Sequence, residues 1–137
     1  MKYNVMLTIA SLLSILFVTL HMADDIARGM EPGTISSLIV VPILVIWLYA
    51  TLVLVERPSG YVIILLGSLL GLVVPVVHMK GAGISAAIIK SSGGFFFVWT
   101  LLALGVTSLF SVILSVRGLW LLLTRRTAGQ QKQAAHA

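Results

Sequence analysis

Cysteine is absent from this sequence, which excludes disulfides, thiolate-held zinc, iron–sulfur clusters and thiol catalysis. Charge is scarce: 9% of the 137 residues are charged, and only four of them are acidic. A soluble domain carries about 25% charged residues, so an ordinary water-soluble globule is excluded. A disordered chain is excluded too, because it needs low hydrophobicity and high charge. No phosphate-binding glycine loop, nucleotide fingerprint or nucleophile elbow occurs, and no catalytic residue is assigned. The net charge of +5 bears on membrane orientation and gives no reason to expect nucleic acid as a partner.

What the chain has is hydrocarbon, at 59% hydrophobic residues. A bilayer core about 30 Å thick takes about 20 apolar residues as helix. Four segments meet that need: about 4–22, 35–55, 61–79 and 95–123. Every amide inside lipid must be satisfied within its own segment, so these are read as helices. The first run is longer than the core of a signal peptide, and His21-Met22-Ala23 is a poor cleavage context, so it is read as a retained span. The intervening links are short, which forces antiparallel neighbours. The expected fold is all-α: an integral membrane, up-down-up-down four-helix transmembrane bundle over 1–123, with a loose polar cytoplasmic tail at 124–137. The link from Gly81 to Gly94 is expected to hold one or two interfacial helical turns.

Basic residues in short loops stay cytoplasmic. Lys2, Arg57, Arg117, Arg125, Arg126 and Lys132 lie on one side, against Arg28, Lys80 and Lys90 on the other. Both termini are therefore expected in the cytoplasm, with a bacterial inner membrane as the setting.

At about 100° per residue, the polar and small residues gather into stripes. Ser11, Ser14, Val18, His21 and Asp25 share one in the first helix, and Pro42, Tyr49 and Glu56 in the second. Gly67, Gly71, Pro75 and His78 share one in the third, and Thr100, Thr107, Ser111 and Gly118 in the fourth. Lipid penalises polar atoms, so all four stripes are expected to face the bundle axis. Gly67, Gly71, Thr107 and Ser111 read as helix-packing positions, since small and hydroxyl residues are common at membrane helix interfaces. Pro42 and Pro75 lie in the outer half, where two kinks at similar depth would open a small vestibule. On the inner side, Glu56 and Arg117 lie at one level and are expected to form a structural ion pair.

One constellation carries chemistry. His21, Asp24 and Asp25 end the first span, and His78 ends the third at the same depth. Residues four apart on a helix share a face, so His21 and Asp25 can meet. Imidazole nitrogen with carboxylate oxygen suits a divalent transition metal. A His–Asp pair also suits proton or substrate handling. The candidate ligands are His21, Asp25 and His78, supported by Asp24 and Glu31. The plain alternative is a set of solvated residues at the lipid boundary. Haem, held by the two histidines, ranks behind a metal ion as a cofactor.

Three functional readings follow. The first is a small polytopic membrane protein with a ligand, proton or metal site at the outer mouth of the bundle, acting in transport or sensing. The second is an accessory or structural subunit of a larger membrane complex. A haem electron carrier or membrane enzyme comes third, enzymatic activity being the less favoured expectation. The expected partners are the lipid bilayer and either a second copy of the chain or a larger complex.

Overall fold

The computed structural model describes residues 2–30, 38–80 and 93–134. Glu31, the 81–92 link, with its expected interfacial turns, and His136 lie outside the described residues. Four helices make up the described chain: α1 (Lys2–Ala27), α2 (Val40–Val53), α3 (Pro58–Lys80) and α4 (Gly94–Ala134).

Three of them, α1, α3 and α4, are long and apolar enough to cross a membrane, as expected of an integral membrane protein. The α2 helix is shorter than its sequence suggests: 14 residues against the expected 35–55. It is entered through a tight 3₁₀ turn at Leu38 and Ile39, and it stops where Leu54 leaves helical geometry. A turn at 54–57 then reverses the chain into α3, whose first residue is Pro58. Proline suits a helix start because its missing amide would have had no partner there. At the other extreme, α4 continues as helix to Ala134, through the polar stretch expected to be loose.

Cross-helix contacts fix the directions. Tyr3, at the start of α1, donates to the carbonyl of Leu114 midway along α4. His21, near the end of α1, packs on Phe97 in the first turn of α4. Those two helices are therefore antiparallel. The bundle's most extensive interfaces are those of α4 with α1 and with α3. The α2 helix packs against α1 and α3.

Apolar side chains are as comfortable in lipid tails as against one another, so close packing and hydrogen bonds hold such helices together. Accordingly the interior is rich in hydroxyls. Ser11, Ser14, Thr51, Ser68, Thr100, Ser108, Ser111 and Ser115 are fully buried, whereas most Leu, Val and Ile residues lie on the outside. Ser11 shares a 2.7 Å hydrogen bond with Thr51 and accepts from the Trp47 indole at 2.9 Å. Ser68 donates to Ser111 at 2.7 Å, joining α3 to α4. Such bonds contribute about 0.6 kcal/mol each within a membrane.

The two expected glycine contacts serve different neighbours. A Cβ on Gly67 would enter the Trp47 ring on α2, and one on Gly71 would lie 2.5 Å from the Ser108 hydroxyl on α4. Thr107 is half-buried and spends its hydroxyl on the Ala103 carbonyl of its own helix, at 2.8 Å.

The stripe assigned to α2 requires correction. Pro42, Tyr49 and Glu56 are exposed, and the face turned inward is Trp47, Ala50 and Thr51. This helix is apolar on nearly every side, so its few polar residues are a poor guide to its orientation. The fit of the indole over Gly67 decides it instead. The expected Glu56–Arg117 ion pair is not formed either. Glu56 accepts from the Asn4 amide at 3.1 Å, and the Arg117 guanidinium lies 5.7 Å from the centre of the Tyr3 ring.

Candidate metal centre at the His21 end

The α1 helix does not stop at Met22, where the apolar run ends, but carries on to Ala27. This extension places both aspartates on helix and separates their roles. Asp25 turns inward beneath His21, four residues before it. Asp24 turns to Arg28, four residues after it, whose Nε lies 2.7 Å from its Oδ2. Gly29, at a φ of +69°, then releases the chain from the helix in a left-handed conformation that side chains disfavour.

His78 arrives from α3, one turn beyond Pro75. Its Nδ1 lies 2.9 Å from the Val74 carbonyl. A carbonyl can only accept, so this contact assigns the ring proton to Nδ1 and leaves Nε2 as a lone pair. That Nε2 lies 3.3 Å from Asp25 Oδ2, and His21 Nε2 lies 3.4 Å from the same oxygen. The two rings meet edge to face with centroids 4.7 Å apart.

Phe97 closes the site from α4. Fully buried, it packs 5.2 Å from the His21 ring and 5.8 Å from the His78 ring. The Arg28 guanidinium covers the Phe97 ring at 5.6 Å and donates to the Gly93 carbonyl at 2.8 Å. The end of α1 is thereby fastened to the start of α4. Gly93 has a φ of +84°, which favours glycine at that junction.

Burial is nearly complete, with His21 2% and Asp25 5% exposed. Both ring nitrogens of His21 and the Oδ1 of Asp25 are buried without a hydrogen-bond partner. A buried polar atom left unpaired costs about 1–3 kcal/mol. The arrangement becomes more costly still at His78, where a neutral ring would aim a lone pair at a carboxylate oxygen. A cation between them removes that repulsion.

Two kinds of cation fit, a proton and a metal ion. The three ligand atoms, one each from His21, Asp25 and His78, lie within 4.8 Å of one another. A tetrahedral ion with bonds of about 2.0–2.1 Å has donor–donor edges of about 3.3–3.4 Å. The two histidine–carboxylate separations, 3.4 and 3.3 Å, have that length, while the span of the whole set, 4.8 Å, exceeds it and would have to contract around an ion.

Haem does not fit these two histidines. Axial imidazoles stand on opposite faces of the macrocycle, and rings touching edge to face leave no room for it between them.

Of the expected site residues, His21, Asp25 and His78 are brought together, while Asp24 sits one step out, holding Arg28. Sequence reasoning missed Phe97 and Trp47. Phe97 is one of three consecutive phenylalanines, and nothing local sets it apart. Trp47 had a usable signal: tryptophan favours membrane interfaces, so one in mid-span needs a partner for its N–H.

No family model, curated protein or solved structure matches this chain. The roles of its residues rest on geometry and chemistry.

Proposed function

We propose that this chain is a four-span integral membrane protein that binds a divalent transition-metal ion through His21, Asp25 and His78, in transport or sensing. The observation that carries this reading is the convergence of two imidazoles and one carboxylate, of which His21 and Asp25 are buried with unsatisfied polar atoms and His78 is half-buried. Intramembrane ionisable residues are costly, and they tend to persist where they bind or move something. Three protein ligands leave a coordination position open, the pattern of an exchanging site more than of a closed structural one. In this reading α2 crosses with the other three helices. On the same reading, the excess of lysine and arginine on the side of the termini favours a cytoplasmic location for both of them, in a bacterial inner membrane, with the metal site at the outer surface.

The test is metal analysis of protein purified in phosphatidylcholine nanodiscs, with a Zn²⁺ titration followed calorimetrically. One ion per chain is expected for the wild type and none for the His21→Ala/His78→Ala double variant. Unchanged stoichiometry in that variant, or no binding by the wild type, would sink the proposal.

A further inference from the structure

Beside the metal centre lies a cavity of about 380 Å³. Val18 of α1, Leu44 and Trp47 of α2, and Leu70 and Val74 of α3 form its walls, with His21, Asp25 and His78 at one end. The wall on α3 runs from Leu70 to His78, a rise of about 12 Å. Ile43 and Val73 also line it and are exposed, as is Leu70, so the cavity opens sideways between α2 and α3, on a surface built for lipid. Its volume falls within the range of about 300–1,000 Å³ typical of small-molecule sites. The buried Oδ1 of Asp25 belongs to a residue lining this space and has no hydrogen-bond partner.

We infer that this cavity takes a single-chain amphiphile with an anionic oxygen headgroup, such as a fatty carboxylate, entering from the bilayer. The apolar body lies along Trp47, Leu44 and Leu70, and the headgroup oxygen completes the metal's coordination. The inference rests on the metal reading above. A divalent ion held by one carboxylate and two neutral imidazoles keeps a net charge of +1, which an anionic oxygen neutralises. Without the ion, Asp25 repels such a headgroup. Zinc and ligand must therefore strengthen each other's binding by the same factor.

The experiment titrates Zn²⁺ into protein in phosphatidylcholine nanodiscs, with and without dodecanoate. In parallel, quenching of Trp47 by a brominated dodecanoate is followed in a Trp99→Phe/Trp120→Phe background. Dodecanoate is expected to tighten Zn²⁺ binding at least 10-fold, and quenching is expected to saturate only with Zn²⁺ present. Ile43→Phe and Val73→Phe, which crowd the mouth and touch no metal ligand, are expected to keep Zn²⁺ binding and lose both effects. Zn²⁺ binding that ignores dodecanoate would overturn the ligand assignment and leave the metal site standing. No Zn²⁺ binding, with quenching equal in both conditions, would overturn both. Coupling that persists in the two mouth variants would overturn the cavity as the route and seat of the chain.

Discussion

The two ends of the bundle hold similar polar side chains in opposite states of satisfaction. At the Tyr3 end, Tyr61 donates to Asn4 at 2.9 Å, Asn4 donates to Glu56 at 3.1 Å, and Tyr3 donates to the Leu114 carbonyl. At the His21 end, both His21 nitrogens and Asp25 Oδ1 are buried without hydrogen-bond partners, and Asp25 Oδ2 lies 3.4 and 3.3 Å from the Nε2 atoms of His21 and His78. The first cluster closes on itself and fastens helix ends. The second leaves buried polar atoms without partners, which the proposed cation would satisfy. Polar content alone does not separate a structural cluster from a binding site in a membrane; the accounting of donors and acceptors does.

The comparison is broken most directly by ligand-linked stability. At Zn²⁺ 100-fold above its dissociation constant, wild-type protein is expected to gain about 2.7 kcal/mol. Tyr61→Phe should gain the same amount and His21→Ala/His78→Ala nothing, as read from thermal unfolding with and without the ion. A gain confined to the Tyr3 end would invert the assignment. The next effect is steric. A Cβ on Gly118 would enter the Tyr61 ring, so Gly118→Leu should cost about 1–3 kcal/mol of stability while Zn²⁺ affinity stays unchanged. The smallest is Tyr61→Phe itself, which removes the donor to Asn4 and should cost about 1 kcal/mol in denaturation measurements without metal. A loss of Zn²⁺ affinity in either variant would mean that the two ends are coupled.

Much of this was legible in the sequence, because lipid makes a few rules strict. Runs with little or no charge marked α1, α3 and α4, the helices long and apolar enough to cross a membrane. The four-residue spacing of His21 and Asp25, with His78 at matching depth, marked the cluster, since helical periodicity and span length together fix azimuth and height. What failed was what those two coordinates do not contain. The orientation of α2 depended on the shape of Trp47 against Gly67, and an all-apolar helix gives no polarity signal. Glu56 and Arg117 were matched in height, but Tyr3 and Asn4 supplied nearer partners from a third helix. Phe97 joined the site through the path of the chain into α4, which no spacing rule describes. The extent of α4 was missed because composition reports the solvent around a segment more readily than its backbone geometry.

At 41 residues, α4 is about 61 Å long, roughly twice the thickness of the hydrocarbon it crosses. One end presses Phe97 against both histidines, and the other continues as helix past the apolar span, which ends at Arg125. Such a rod works as a lever. Pivoting by about 5° about its Phe97 end sweeps the opposite tip through about 5 Å. In the proposed metal-bound state, a tilt of α4 begun at Phe97 would therefore reach the far end of the helix as a displacement of several ångströms.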